Sequence, residues 1–378
     1  MAGIGQTALR LAALVDDRVG VARQAAKVRL GLLRPVEAVC YRGHGTAGRL
    51  WVRGRVLERQ GIVGATGSDT VWQNLANMWR RFTSDEVRGA RVVVRHDERT
   101  VRTVTDGEGF FDVSIVPGSG LPTGRPWHPV EVTVAGPLAR YQSPPRTLGR
   151  VLVPPAQATL GVISDIDDTV VRTGLTSPLL MTASVVLLNN AHTRTPFGGV
   201  AAFYRALQQG PDGAGANPVF FVSSSPWNLY DLLVQFLDVH GIPAGPLFLT
   251  DWGIEERAFV TGGHGEHKLA RIEGLLATYP GLPFVLVGDS GQQDPEVYQQ
   301  VVREHPGRVA AIYIRDVTTP ERDRQVHAIA ADVRAMGVDV LLVADTVTAA
   351  EHAAGRGLID PTALPGIREQ RARDDAAR

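Results

Sequence analysis

The feature that most constrains the fold is the stretch 160–170, in which an apolar run ends in a group of acids. Residues 160–163 are apolar and have the composition of a buried strand in an α/β sheet. Asp165, Asp167 and Asp168 follow directly. Carboxylates that crowd at the end of a buried strand repel one another unless a cation lies among them. Mg²⁺ takes oxygen ligands and would relieve this repulsion. Asp is also common in surface turns, and for an isolated motif the turn is the better interpretation, so a metal site requires partners further along the chain.

Two later apolar runs, residues 219–222 and 283–287, also end in polar residues. The polar residues that follow these runs, with the lysine between them, are Ser223, Ser224, Ser225, Lys268, Asp289 and Asp294. The carboxyl ends of parallel strands meet at one edge of a sheet, and ligands bind at that edge. We therefore expect these side chains to converge there, which a set of surface turns would not require.

This order of motifs resembles that of the haloacid dehalogenase-like phosphohydrolase superfamily. The series is a strand with Asp-x-Asp-x-Thr, a strand with Ser, a Lys, and a strand with Gly-Asp-x4-Asp. The resemblance implies a doubly wound parallel sheet and a phosphoryl transfer in which Asp165 is the nucleophile and forms an aspartyl-phosphate. Asp167 would act as general acid and then as general base. Because dehalogenase-type members lack that second acid, Asp167 favours phosphatase or phosphotransferase chemistry.

The same resemblance implies which residues hold the phosphoryl group. Ser223 and Lys268 would bind its oxygens, and Thr169 would stabilise the loop that carries Asp167. The end of a predicted strand is uncertain by one or two positions, so Ser224 or Ser225 could take the place of Ser223. The predicted catalytic set is Asp165, Asp167, Ser223 and Lys268, and the predicted substrate-binding set is Thr169, Arg194 and Ser225.

Mg²⁺ is the cofactor that the resemblance implies. Asp165, Asp289 and the main-chain carbonyl of Asp167 would bind it, and Asp294 would orient Lys268 or a metal-bound water. The predicted metal-binding set is therefore Asp165, Asp167, Asp289 and Asp294. Asp168 is expected to support this set or to cap a turn rather than to bind the ion.

A closer resemblance, over residues 156–345, is to the catalytic domain of the actin-patch-associated phosphatidate phosphatases, a family related to lipins. Its most specific part is Ser-Pro-Trp-Asn-Leu-Tyr at 225–230, and Arg-Thr-Pro-Phe at 194–197 and Ile-Tyr-Ile-Arg-Asp-Val at 312–317 add to it. The family implies Mg²⁺-dependent hydrolysis of phosphatidate to diacylglycerol and phosphate. Two alternatives remain: a phosphatase for a soluble metabolite or phosphoprotein, and a non-catalytic protein that senses phosphate.

An apolar segment, residues 179–188, lies between the first acids and the serines. Such a segment is usually a core helix, but above an active site it could form a lid that contacts an acyl chain. Arg194 follows it and could reach a phosphate. The sequence favours neither interpretation decisively.

Changes in sequence pattern divide the chain into four parts. We predict an N-terminal amphipathic helix over 1–35, a small antiparallel β-sandwich over 36–155, the α/β catalytic domain over 156–360 and a disordered tail over 361–378. Four arginines in the β-domain are predicted to form a solvated face, with an anion site as the alternative: Arg42, Arg49, Arg53 and Arg55.

Charge and composition limit the partners. The chain has 39 basic and 39 acidic residues, so no net charge draws it to nucleic acid. Cys40 is the only cysteine, which excludes an internal disulfide and suits the cytoplasm. We find no apolar run of membrane-spanning length. The basic N-terminal segment could nevertheless lie on a membrane surface or pack on its neighbouring domain, so a peripheral membrane contact is possible for a cytoplasmic enzyme.

Overall fold

The computed structural model of the protein describes residues 24–59, 86–122, 124–166, 197–250, 264–316 and 320–376. The chain divides into two compact units, residues 1–122 with 127–151, and residues 123–126 with 152–378. The second unit holds every described residue of the predicted site. The sequence placed the boundary between the two domains at residue 155.

The first unit is an antiparallel sheet of eight strands in the order β1-β3-β2-β8-β7-β4-β5, with β6 paired to β3. The strands are β1 (Val36–Cys40), β2 (Gly43–Thr46), β3 (Arg49–Glu58), β4 (Arg91–His96), β5 (Arg99–Val104), β6 (Phe110–Ile115), β7 (Trp127–Gly136) and β8 (Arg146–Leu152). Alternate residues of β7, namely Val130, Val132 and Val134, are buried, which is the pattern of a sheet with one face on a core.

The predicted antiparallel sheet is confirmed, and strand pairing connects all eight strands. The arrangement of these strands as a two-layer sandwich remains a prediction. Strand β3 pairs with β1 through residues 54–58 and with β2 through residues 49–51, and it also pairs with β6 through residues 50–55. This long strand thus connects β1, β2 and β6.

Two of the four arginines predicted to be solvated are buried. Arg42 is 6% and Arg55 is 8% exposed, whereas Arg49 is exposed. Arg55 donates from Nε to the Glu108 carbonyl oxygen at 2.8 Å and from Nη2 to Glu86 at 3.0 Å. Its guanidinium also lies over the Phe110 ring, 4.4 Å from the centroid. These partners offset the cost of burying the Arg55 charge. Because Arg42 and Arg55 are both buried, the prediction of a solvated face is wrong for these two residues.

Only the end of the predicted N-terminal helix lies within the described residues. Residues 24–29 are helical. Lys27 pairs with the buried Glu58 at 2.7 Å, and Gln24 donates to the Arg88 carbonyl oxygen at 2.6 Å. Residues 1–23 lie outside the described part, so the amphipathic helix and its membrane contact remain predictions.

The second unit contains a six-stranded parallel sheet in the order β11-β10-β9-β12-β13-β14. Its strands are β9 (Gly161–Ser164), β10 (Val219–Pro226), β11 (Leu247–Thr250), β12 (Phe284–Asp289), β13 (Val309–Arg315) and β14 (Asp339–Val343). Counted from β9, this is the doubly wound order 3-2-1-4-5-6. The order reverses between β9 and β12, and in such sheets the ligand binds at that reversal, beyond the carboxyl ends of the strands.

Helices connect these strands: α1 (Val200–Gln209), α2 (Tyr230–Val239), α3 (His264–Thr278), α4 (Asp294–Glu304), α5 (Pro320–Ala335), α6 (Thr346–Gly355) and α7 (Leu364–Ala376). Helix α4 packs against α3 and α5, whereas α1, α6 and α7 pack against one another. Two separate groups of helices are expected when right-handed crossovers cover both faces of a parallel sheet. Every residue of β10 and β12 is buried, so these two central strands form part of the core.

The predicted disordered tail is wrong for residues 361–376. A short 3₁₀ helix (Pro361–Ala363) leads into α7, and Ile367 in α7 is only 1% exposed. Asp374 accepts a hydrogen bond from the Gly199 amide at 2.8 Å, and Arg371 pairs with Asp345 at 3.2 Å. One apolar anchor and two polar contacts with other elements thus hold a segment whose composition alone suggested disorder.

We expect Ile367→Ala to lower the free energy of unfolding by about 2–5 kcal/mol, since it leaves a cavity in the packing of α7. Urea unfolding of the full chain measures this. The control is Glu369→Ala on the same helix, whose side chain is exposed and should change stability by no more than about 0.5 kcal/mol. Equal stability of wild type and Ile367→Ala would mean that α7 is not docked.

Candidate active site

Asp165 lies immediately beyond β9 and is 1% exposed. Its amide donates to the Val287 carbonyl oxygen of β12 at 2.9 Å, so it lies at the reversal of strand order. The preceding Ser164 hydroxyl donates to the Asp165 carbonyl oxygen at 2.5 Å and lies 2.6 Å from the Tyr204 hydroxyl. Hydrogen bonds therefore fix the main chain on both sides of this residue.

Lys268 is the cation of the site. It lies in the first turns of α3 and is 3% exposed. Its Nζ lies 2.9 Å from Asp165 Oδ1 and 2.6 Å from Asp294 Oδ1, and it also donates to Gln292 Oε1 at 3.2 Å. Burial by itself would lower the pKa of Lys268, but the two carboxylates outweigh burial and raise its pKa above the usual value. The ammonium is therefore charged wherever the protein is folded near neutral pH.

Asp289 is the last residue of β12 and is fully buried. Its Oδ1 accepts hydrogen bonds from the amides of Gly291 at 2.7 Å and Gln292 at 2.9 Å. Its Oδ2 accepts none from any residue that the structure describes. Burial and the nearby Asp294 raise the pKa of Asp289 to about 7, against the opposing effect of Lys268. A cation at the open oxygen would favour the ionised form.

Asp294 begins α4 and joins the lysine to the strand. Its Oδ1 accepts from Lys268, and its Oδ2 accepts from the Asp289 amide at 3.1 Å. Gly288 makes this approach possible, because a Cβ there would lie only 2.5 Å from Asp294 Oδ2. Both carboxylate oxygens of Asp294 thus have partners, which suits the orienting role that the sequence gave it beside that of a metal ligand.

The residues present fit a divalent cation. Asp165, Asp289 and Asp294 each offer a carboxylate oxygen, and these oxygens lie within 4.8 Å of one another. One lysine cannot neutralise three buried carboxylates, and one oxygen of Asp289 has no hydrogen-bond partner among the described residues. Oxygen ligands of this kind are those that Mg²⁺ prefers.

The three candidate serines lie in β10, which extends through them to Pro226. Phe221 pairs with Ser164 of β9, so the serines lie at the same edge of the sheet as Asp165. Ser223 Oγ accepts from the Ser225 amide at 2.9 Å, and the Ser224 carbonyl oxygen accepts from Thr250 at 2.9 Å. All three are buried, with Ser224 the most exposed at 8%. The choice of Ser223 as the phosphate-binding residue remains a prediction.

Several predicted site residues lie outside the described part of the chain. These are Asp167, Asp168, Thr169 and Arg194, together with the apolar segment 179–188. The structure therefore brings Asp165, Lys268, Asp289 and Asp294 together, whereas the roles of the general acid, of the residues predicted to bind substrate and of the lid remain predictions.

Sequence reasoning gave no role to three residues that the structure connects to this cluster. Gln292 binds Lys268, Tyr204 binds Ser164, and Arg322 of α5 donates to the carbonyl oxygens of Ser290 and Gln292. Gln292 lies inside a motif and could have been suspected. Arg322 and Tyr204 lie in helical segments far along the chain from their partners, where no sequence pattern indicates the contact.

Comparison with known proteins shows that this part of the chain is similar to phosphatidate phosphatase APP1. The family model described as "Phosphatidate phosphatase APP1, catalytic domain" matches residues 160–316, which include all four clustered residues. The phosphatidate phosphatase APP1 of Saccharomyces cerevisiae is 31% identical over 168 residues, which are 44% of this chain and 28% of the yeast protein. An uncharacterized protein of Schizosaccharomyces pombe is 29% identical over 160 residues, 42% of this chain and 25% of that protein.

Both matches are partial, and the chain aligns with little more than a quarter of either relative. Among solved structures, a carbohydrate acetylesterase from Xanthomonas citri covers 78% of this chain and 72% of its own, with 12% identity and a TM-score of 0.26. A score that low supports no inference about fold or function. The family match rests instead on the segment that contains the buried acids and the lysine. Residues 160–316 are therefore similar to the phosphatidate phosphatase APP1 catalytic domain, in agreement with the resemblance that the sequence motifs indicated.

Proposed function

We propose that this protein is a Mg²⁺-dependent phosphatidate phosphatase that releases diacylglycerol and inorganic phosphate. The observation that carries the proposal is the buried cluster of Asp165, Lys268, Asp289 and Asp294 inside the segment that matches the phosphatidate phosphatase family model. The similarity to the family supports the choice of substrate, and the cluster supports the type of reaction. The two parts of the proposal are therefore tested separately.

Asp165 is the proposed nucleophile. Its carboxylate attacks the phosphorus atom, the bond between phosphorus and the lipid oxygen breaks, and an aspartyl-phosphate forms. Water then cleaves the acyl-phosphate bond and regenerates Asp165. The Lys268 ammonium lies 2.9 Å from Asp165 Oδ1, close enough to contact an oxygen of a phosphoryl group that Asp165 attacks. Asp167 is the proposed donor of a proton to the leaving alcohol and acceptor of one from the water.

Asp165 and Asp289 would hold the metal, together with the main-chain carbonyl of Asp167. When bound, Mg²⁺ supplies positive charge to the phosphoryl oxygens. Asp294 keeps Lys268 in place through the 2.6 Å contact, and Gln292 accepts a further hydrogen bond from the same ammonium. The lysine is thus held by three acceptors and cannot rotate away from Asp165 without breaking buried hydrogen bonds.

A lipid substrate requires access to a membrane surface. None of the helices in the described part of the chain is both long and apolar enough to cross a bilayer. We propose a peripheral contact with the membrane, for which the basic residues of the segment 1–35 are the candidate, and a cytoplasmic location, which the single cysteine suits. Hydrolysis of a soluble phosphomonoester is the competing function, and phosphate sensing without catalysis is disfavoured because the described part of the cluster contains the nucleophile, the lysine and the acids.

Phosphate release from phosphatidate vesicles and from water-soluble phosphomonoesters, each with and without Mg²⁺, tests the substrate. We expect faster release from the vesicles, and loss of activity on both after chelation of the metal. Activity on soluble esters alone would remove the lipid substrate. Absence of any turnover, with intact phosphate binding, would favour the sensing protein.

Asp165→Asn tests the nucleophile. The amide keeps the size of the side chain but cannot form the acyl-phosphate, so we expect phosphate release to fall by at least about 10³-fold. The matched control is Asp212→Asn, at an exposed aspartate after α1, which should keep wild-type activity. Turnover that persists in Asp165→Asn, while thermal unfolding is unchanged, would show that another residue attacks.

Gly288→Ala tests the approach of Asp294 to the end of β12. The added Cβ would lie 2.5 Å from Asp294 Oδ2, so Asp294 must move and Lys268 loses an aligned partner. We expect kcat to fall by about 100-fold, since small misplacements of catalytic groups cost that much. Gly281→Ala is the control, because a Cβ there meets no atom within 4 Å. Equal activity of the two variants would contradict the role given to Asp294.

A further inference from the structure

We propose that Arg322 of α5 is a positioning residue that orients the loop 290–292 so that its amide groups face Asp289 and leave one oxygen of Asp289 open to the metal. The inference rests on the proposed function, because it concerns the affinity of the same site for Mg²⁺. The family model ends before Arg322, at residue 316, and none of the motifs that carry the resemblance includes this arginine.

The guanidinium of Arg322 donates to two main-chain carbonyl groups of the loop. Nε donates to the Ser290 carbonyl oxygen at 3.0 Å, and Nη2 donates to the Gln292 carbonyl oxygen at 2.7 Å. The same loop supplies the two amides, of Gly291 and Gln292, that donate to Asp289 Oδ1. The loop therefore receives hydrogen bonds from Arg322 and donates hydrogen bonds to Asp289.

One peptide group connects Arg322 directly to Asp289. The carbonyl of Ser290 and the amide of Gly291 belong to the same planar unit, in which C=O and N–H point in opposite directions. The carbonyl binds Arg322 at 3.0 Å and the amide binds Asp289 at 2.7 Å. Rotation of this unit would break both hydrogen bonds, so a bond to Arg322 stabilises the orientation in which the amide reaches Asp289.

Glu296 fixes the plane of the guanidinium. Its two carboxylate oxygens accept from Nη1 at 2.5 Å and from Nη2 at 2.8 Å, the two-pronged arrangement that arginine makes and lysine cannot. Glu296 lies in the first turn of α4, close to Asp294. Arg322 thus joins α5, the start of α4 and the loop between β12 and α4, and its side chain is only 22% exposed.

The consequence for the metal site follows from the two oxygens of Asp289. The loop amides fix Oδ1, and Oδ2 has no hydrogen-bond partner among the described residues. If the peptide groups turn away, Asp289 loses the two donors that hold its carboxylate in this orientation. Residues that orient metal ligands in this indirect way typically change metal affinity by about 10–100-fold when they are replaced.

The test compares the full chain with Arg322→Gln, Arg322→Lys and a control, Arg324→Gln, at an exposed arginine on the same helix. Calorimetric titration with Mg²⁺ measures affinity, and hydrogen exchange of residues 289–294 without metal measures order in the loop. We expect Arg322→Gln to bind Mg²⁺ at least about 10-fold more weakly and to exchange faster in this loop. Its KM at saturating Mg²⁺ should be unchanged. Arg322→Lys should be intermediate, and Arg324→Gln should match wild type.

The outcomes separate this inference from the proposed function. Wild-type Mg²⁺ affinity and wild-type exchange in both Arg322 variants would overturn the positioning role. A wild-type chain that binds no Mg²⁺ would overturn the proposed metal-dependent function, and exchange in the loop would then decide the positioning role by itself. If Arg322→Gln does not fold, Arg322→Lys carries the test, since it keeps the charge and removes the two-pronged contact.

Discussion

The site depends on one buried ammonium group between two buried carboxylates. Lys268 contacts Asp165 beyond β9 and Asp294 at the start of α4, so three elements distant in sequence meet at a single nitrogen. Charged groups in a protein interior are costly unless they are paired and hydrogen-bonded. The same pairing that makes burial tolerable also fixes the position of the lysine between the two acids.

The topology of the sheet brings these elements together. Strands β9 and β12 are neighbours although more than a hundred residues separate them, because the strand order reverses between them. Acids at the ends of both strands therefore face the same space beyond the sheet edge. Gly288 permits the last contact, since a side chain there would occupy the position of the Asp294 carboxylate. The positions of the acids and the lysine thus depend on the reversal of strand order and on the glycine at position 288, which has no side chain.

Contacts that support the site extend beyond residues 160–316, the segment that matches the family model. Arg322 lies after that segment and contacts the loop that follows Asp289. Helix α7, still later in the chain, contacts the amide of Gly199 just before α1 and anchors Ile367 in the packing. The segment that matches the family model is therefore held, in this chain, by contacts with elements that lie after it in the sequence.

The sequence by itself determined the parallel sheet, the site-bearing ends of β9, β10 and β12, and the cluster of Asp165, Lys268, Asp289 and Asp294. These follow from short apolar runs and the polar residues beside them, because both the burial of a strand and the side chains at its end are encoded in a few consecutive residues. Only the tertiary structure decided the contacts of Arg322, the burial of Arg55 and the helix at the C-terminal end. In each case a polar or charged residue is bound by partners distant along the chain, and composition gives the charge of a residue but not the partner that compensates it.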